Sequence, residues 1–248
     1  MIASMIGWVL IGCAAILLVV LQLFPFGKDI LVRKEPAIEH LREAQITAME
    51  RGEPRNIVLG DQLAPLAYPG LGLQALSALP HFLNAESGVD GRLTLGSSDG
   101  GLVVFARQIV QNRYRDGFSP ILHQAGVRTR LYGPTPLAFS AGILPKLGAS
   151  RGSLLTLFGH YGPESMLWAE AVQRKGGQVF AAGGGLSGQA VLFLTAEDLL
   201  IGESVFGTPQ MLTIEAGRST SLIAEDILRW VLILGVLIAI GLKLGGIL

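Results

Sequence analysis

Charged side chains are scarce in this sequence, and they are nearly absent from its two ends. Residues 1–27 contain no Lys, Arg, Asp, Glu or His, and Trp230–Leu248 contains only Lys243. Only 15% of the chain is charged, against about 25% in ordinary soluble domains. Each end offers the roughly 20 apolar residues that a helix needs to cross a hydrocarbon core of about 30 Å. The sequence therefore predicts one transmembrane helix within residues 1–27 and another within 216–248.

Cysteine and net charge are lacking as well. The single cysteine, Cys13, excludes a disulfide framework, and the zero net charge argues against nucleic acid as a partner. The segment Leu10–Cys13 resembles a lipobox, and a cleaved signal peptide is a second alternative for the first apolar run. The run continues to Phe24 and no basic residue precedes it, which favours a permanent anchor over both.

Basic residues near the two apolar runs predict the orientation of the chain. They follow the first run and precede the second, and they are Lys28, Arg33, Lys34, Arg42, Arg218 and Arg229. Because Lys and Arg close to span ends favour the cytoplasmic side, we expect a cytoplasmic central region with both termini outside. The predicted localisation is a bacterial cytoplasmic membrane, with the lipid bilayer itself as one partner.

The central region shows two periodicities. Residues 28–54 contain a helical pattern at Pro36–Gly52, which predicts a juxtamembrane helix. Residues 55–215 alternate β-prone runs with helix-length runs. The predicted strands are Asn56–Leu59, Arg92–Leu95, Arg128–Tyr132, Leu154–Phe158, Gln178–Ala181 and Leu199–Ile201. The predicted helices are Leu71–Asn84, Leu102–Tyr114, Pro136–Leu147, Pro163–Lys175, Gly188–Thr195 and Ser204–Leu212.

This alternation predicts an α/β domain with an open, mainly parallel, Rossmann-like sheet. Two of the helices, Pro136–Leu147 and Gly188–Thr195, are apolar yet too short to cross a bilayer. We therefore expect them to be buried against the sheet.

Four short segments are similar to those of an uncharacterised family of bacterial two-span membrane proteins, a domain of unknown function. They are Ala48–Arg55, Gly133–Gly142, Gly159–Ser165 and Leu200–Phe206. The resemblance covers most of the chain and implies two spans around a central α/β domain. It implies no activity, since none is assigned to that family.

The turns that follow the predicted strands hold the candidate site residues. Ligands of open parallel sheets bind beyond the carboxyl ends of the strands, and most of these turns combine glycine with a polar side chain. The candidate ligand-binding residues are Asp61, Ser97, Ser98, Asp99, Gly100, Thr135, His160, Glu164, Gly183, Gly185, Gly188 and Glu203. The backbone N–H groups of the turn Gly96–Gly101 could cradle a phosphate, but Ser98 or Asp99 is also an ordinary helix N-cap. Because the Asp99 carboxylate would repel a phosphate, we favour the N-cap.

Known catalytic and metal-binding motifs offer little support for chemistry. Gly183, Gly185 and Gly188 match the spacing G-x-G-x-x-G, yet on the fifth predicted strand rather than the first. His160 could act as a base, but no serine lies in a G-x-S-x-G elbow. We predict no catalytic residue, no metal ligand and no cofactor, and the sequence does not decide whether the protein is an enzyme.

Two functions fit these observations. The first is a membrane-anchored scaffold or binding protein that self-associates or docks another membrane subunit on the cytoplasmic face. The alternative is a small-ligand or nucleotide-binding domain, enzymatic or not, that uses the glycine-rich turns. An open pocket at the strand ends would favour the alternative, and packed turns would favour the scaffold.

Overall fold

The computed structural model describes residues 35–60, 70–84, 93–115, 127–202, 204–212, 229–230 and 232–233. The chain divides into two compact units. One is Glu35–Thr213, and the other combines Met1–Lys34 with Ile214–Leu248. All that follows concerns the first unit unless the second is named.

Six strands are described in the first unit, each close to a predicted one. They are β1 (Arg55–Leu59), β2 (Leu93–Ser97), β3 (Arg128–Leu131), β4 (Leu154–Gly159), β5 (Gln178–Gly183) and β6 (Asp198–Leu200). Every residue of β1, β2 and β4 is buried, as expected for strands covered on both faces.

Seven described helices surround these strands. They are α1 (Pro36–Glu50), α2 (Leu71–Asn84), α3 (Gly100–Arg115), α4 (Pro136–Ala149), α5 (Ser165–Gln173), α6 (Leu186–Thr195) and α7 (Ser204–Leu212). The helix predicted as a juxtamembrane segment is α1, which contributes Ile38, Leu41 and Ala48 to the core of this unit.

All neighbouring strands pair in parallel, in the order β3-β2-β1-β4-β5-β6. This order reverses direction between β1 and β4, as in doubly wound folds, and it confirms the predicted open parallel α/β sheet. Strand β3 lies at one edge, and three of its four residues are exposed.

Two hydrophobic cores cover the two faces of the sheet. The core on one face joins α1, α2, α3 and α7 to residues such as Ile57 and Phe158. The core on the other face joins α4, α5 and α6 to residues such as Val58 and Leu157. Burying apolar side chains between helices and sheet is the main stabilising term in such a fold.

The two apolar ends predicted to cross a membrane lie almost entirely outside the described residues. Within the part of the chain that is described, no helix has both the length and the apolar character needed to span a bilayer. Arg229, Trp230, Leu232 and Ile233 are helical.

Candidate functional site

Because all six strands are parallel, the turns after their carboxyl ends share one edge of the sheet. The structure places ten of the twelve candidate residues along this rim. Two others, Asp61 and Glu203, lie outside the described residues.

The turn after β2 is organised by its own hydrogen bonds. The Asp99 carboxylate accepts from the backbone N–H groups of Gly101, at 2.6 Å, and Leu102, at 3.2 Å. The Asp99 N–H donates to the hydroxyl of Ser97, which is fully buried, at 3.1 Å. Asp99 is therefore the N-cap of α3, and its carboxylate occupies the helix N-terminus where an anion would otherwise bind.

The polar side chains in the turns after β3 and β4 also bind backbone N–H groups where the next helix begins. The Thr135 hydroxyl accepts from the Ala138 N–H at 3.3 Å and caps α4. The Glu164 carboxylate, just before α5, accepts from the Gly162 N–H at 2.9 Å. Each of these polar side chains has a structural partner in the turn that carries it.

The crevice between β1 and β4 is the place where a doubly wound sheet usually binds its ligand. Ser98, His160 and Glu164 do line it, together with Gly60 and Tyr161. Its volume, however, is only about 10 Å³, which is room for roughly one water molecule.

Close backbone contact explains why this crevice is so small. The Gly60 N–H donates to the Phe158 carbonyl at 2.6 Å, so pairing continues past the end of β1. A Cβ on Gly60 would lie 2.4 Å from the backbone nitrogen of His160, and Gly159 has a φ of 126°. Only glycine fits at both positions.

Tyr161 fills the space beneath this contact. Its ring is buried and packs edge-on against Trp168, and its hydroxyl donates to the Val58 carbonyl at 2.7 Å. Burial raises the pKa of Tyr161 well above its ordinary value. The Trp168 indole N–H in turn donates to the Ser140 hydroxyl at 3.0 Å. Buried and hydrogen-bonded aromatic side chains thus fill the space next to this crevice.

The glycine triplet at the end of β5 packs against the same turn. A Cβ on Gly188 would lie 2.3 Å from the Tyr161 carbonyl oxygen. A Cβ on Gly185 would lie 2.7 Å from both that oxygen and the His160 ring, whereas one on Gly183 would make only ordinary contacts. Packing of α6 against the turn after β4 therefore accounts for two of the three glycines without any bound phosphate.

A cleft of about 590 Å³ opens at the opposite edge, where β4, β5 and β6 begin beneath α1. The ionisable side chains in its lining are mostly acidic: Glu43, Glu53, Glu197 and Asp198, against Arg51 and His40. Sequence reasoning missed this cleft because its residues are scattered over segments with no common motif.

Much of the charge in this cleft is already paired. His40 Nδ1 lies 3.0 Å from Asp198 Oδ1, and this hydrogen bond raises the pKa of His40. The Glu197 carboxylate accepts from the Val179 N–H at 2.6 Å and from the Gln173 amide at 3.1 Å. These contacts tie α1 and α5 to the sheet. Among the described residues, no group of His, Cys, Asp and Glu could hold a metal ion.

Helices α4 and α6 are buried against the sheet on one side, as expected, but their other side is apolar and exposed. Phe139, Ile143 and Leu192 do pack on the sheet. On the outside, Leu137 and Leu194 are each 81% exposed. We call the following exposed set the outer apolar face: Leu137, Met166, Leu167, Leu186, Phe193 and Leu194.

Ionisable side chains are almost absent from the three helices that carry the outer apolar face. Helix α6 has none, α4 has only Lys146 and α5 has only Glu170. The Glu170 carboxylate is paired with Arg174 at 2.6 Å. A large exposed apolar surface with little charge is typical of an interaction site.

The sheet order defines a doubly wound α/β protein, and the described residues leave little space in its usual ligand crevice. The chain belongs to the family described as Domain of unknown function (DUF6754), whose model matches residues 2–247. No curated protein and no solved structure matches the chain.

Proposed function

We propose that this protein is a membrane-anchored scaffold that self-associates through the outer apolar face. The observation that carries the proposal is the exposure of Leu137, Leu186, Phe193 and Leu194 on helices almost without charge. Leaving such side chains in water is unfavourable, at about 25 cal/mol per Å² of apolar surface. Association with a matching surface removes that cost.

A second copy of the chain is the occupant that the charge distribution favours. When two identical faces meet about a two-fold axis, each group comes close to its own counterpart. A charged face would repel itself, whereas this one holds the compensated pair Glu170–Arg174. A helix that lies on a lipid surface usually carries Lys or Arg along its flanks, and α6 carries neither.

The size of the outer apolar face is of the right order. Its three helices have 14, 9 and 10 residues. At 1.5 Å per residue and about 10 Å between helices, the three helices together cover about 500 Å², and the outer apolar face is part of that area. Specific interfaces bury about 800 Å² on each partner, so this face would form the centre of such an interface.

Membrane anchoring at the two ends is part of the same proposal. It is supported by the uncharged run before Lys28, by the run around Lys243 and by the basic residues between them. Confinement to a membrane raises the effective concentration of one copy near another. The protein should stay in the membrane pellet after alkaline carbonate washing. A tag on either terminus should be reachable only from outside the cell, and extraction without detergent would contradict the anchoring.

Cross-linking in isolated membranes tests the interface directly. With Cys13 replaced by Ser, Leu194→Cys gives the chain one cysteine on the outer apolar face. Phe105→Cys, on α3, gives a matched control, because the Phe105 side chain is also highly exposed, at 53%. We expect a bifunctional maleimide to link Leu194→Cys into dimers and to leave Phe105→Cys monomeric.

Substitutions that introduce a charge provide a second test of the interface. Phe193→Glu should weaken the dimer at least tenfold, since a buried unpaired carboxylate costs several kcal/mol. Phe105→Glu should leave it unchanged. Native mass spectrometry in detergent reads the subunit number of each variant. A monomeric parent protein in both assays, or equal cross-linking at positions 105 and 194, would refute self-association through this face.

A further inference from the structure

A basic cluster lies at the β3 edge of the sheet, away from the rim and from the cleft beneath α1. Arg128 and Arg130 alternate along β3 and are both exposed. In the parallel register Arg128 lies beside Thr94, and Arg130 lies beside Gly96. Since side chains two residues apart point to the same face of a strand, both arginines share the face with Thr94.

Lys146 reaches this same place from α4. Its ammonium donates to the hydroxyl of Thr94, the residue in register with Arg128. Neighbouring strands are about 4.8 Å apart, and residues i and i+2 of one strand are about 6.6 Å apart. The backbone therefore brings three cationic side chains to one small area.

No acidic side chain compensates this cluster within the described residues. The ion pairs there join His40 to Asp198, Arg51 to Glu53 and Arg174 to Glu170. Burial, together with the guanidinium groups of Arg130 and Arg128, lowers the pKa of Lys146 to about 8. A position in the last turn of α4 suits a lysine, but it does not account for the two arginines beside it.

We propose that Arg128, Arg130 and Lys146 bind a phosphate group, with the Thr94 hydroxyl as an additional donor. A phosphate group carries close to two negative charges at neutral pH. Guanidinium groups donate two parallel hydrogen bonds to it, and an ammonium adds a compact charge. The phosphate belongs either to a soluble compound or to a lipid headgroup.

The reactivity of Lys146 gives a readout specific to this site. A bound phosphate stabilises the ammonium and raises its pKa. A rise of one unit from about 8 lowers the neutral, reactive fraction at pH 8 about fivefold. The experiment acetylates the full-length protein at pH 8, with and without inorganic pyrophosphate as the probe. Peptide mass spectrometry then measures the rate at Lys146 and at Lys175, an exposed lysine on another part of the surface.

We expect pyrophosphate to slow acetylation of Lys146 about fivefold and to leave Lys175 unchanged, while sodium chloride of equal ionic strength has little effect. The protection should vanish in the double variant Arg128→Gln, Arg130→Gln, whose substitutions are at exposed positions. Protection that persists in that variant, or that sodium chloride reproduces, would overturn the proposal.

Reconstitution distinguishes the two sources of phosphate. Protein is placed in nanodiscs of phosphatidylcholine alone or of phosphatidylcholine with phosphatidic acid. Slower acetylation in the second, without added pyrophosphate, assigns the site to a lipid headgroup. Protection only on adding pyrophosphate assigns it to a soluble phosphate compound. If neither phosphatidic acid nor pyrophosphate slows acetylation of Lys146, a phosphate site is refuted.

Discussion

Alanine substitutions within the glycine triplet separate packing from ligand binding. If the glycines serve packing, their sensitivity to alanine should follow the space around each Cβ. That space differs sharply between Gly188 and Gly183. The nearest atom to a Cβ is 2.3 Å away at Gly188, the backbone carbonyl oxygen of Tyr161, and 3.6 Å away at Gly183.

The expected magnitudes follow from these distances. A carbon to oxygen contact is normally about 3.3 Å or longer, so Gly188→Ala requires α6 and the turn after β4 to separate by about 1 Å. Overpacking of this kind costs about 1–3 kcal/mol. The gain in helix propensity, at most about 1 kcal/mol, offsets part of it. Gly183→Ala should be neutral or slightly stabilising, because alanine loses less conformational freedom on folding than glycine.

Thermal unfolding of the full-length protein in detergent measures the difference. A change of 1 kcal/mol shifts Tm by about 2–4 °C in a unit of 150–250 residues. Gly188→Ala should therefore lower Tm by about 2–10 °C, while Gly183→Ala should stay within about 2 °C of the parent. Equal destabilisation by both substitutions would refute the packing explanation. So would an unchanged Tm for Gly188→Ala.

Two further predictions concern residues of the rim. Tyr161→Phe should lower the free energy of unfolding by about 1–2 kcal/mol at pH 7, because the hydrogen bond to Val58 is lost. Burial raises the Tyr161 pKa, so the parent protein should lose stability above pH 10, where this tyrosine ionises in the unfolded chain. The loss should be smaller in the variant. Denaturant titrations at pH 7 and pH 11 compare the two. Asp99→Ala should cost about 1 kcal/mol by removing the cap of α3, and an unchanged midpoint of unfolding would contradict the capping role.

The parallel α/β fold was predictable because its signal is local. Strands buried on both faces are continuous apolar runs, and the helices between them are long enough to show their own period. The boundaries are harder to predict where glycine lies inside a strand. The predicted strand ends at Leu95, yet β2 continues to Ser97, because Gly96 and Ser97 still pair with β1 and β3. A Cβ on Gly96 would lie 2.7 Å from the Tyr132 ring, so the glycine makes room for that side chain.

The candidate site shows the complementary limit of sequence reasoning. Placing Asp99, Thr135 and Glu164 on one rim needed only the parallel strands, and the structure agrees with that placement. Whether the rim is open depends on contacts between segments far apart in the chain. Gly60 meets Gly159, and Gly188 meets Tyr161, and no local pattern encodes either distance. For the same reason the basic cluster of Arg128, Arg130 and Lys146 was not apparent from the sequence.

The low fraction of charged residues is not confined to the two ends of the chain. The apolar ends account for part of it, but α4 contains one charged residue and α6 contains none. A helix that is apolar all round is expected to be buried on every side, yet Leu137, Leu186 and Leu194 point outward. Helix α1, on the opposite layer, exposes Glu39, His40 and Arg42 instead. Low charge is therefore found in α4, α5 and α6, which hold only Lys146 and Glu170, and also in α2 and α7 of the opposite layer, which hold no Asp, Glu, Lys or Arg. What favours α4–α6 as the side for a partner is the greater exposure of its apolar side chains, with Leu137 and Leu194 each 81% exposed.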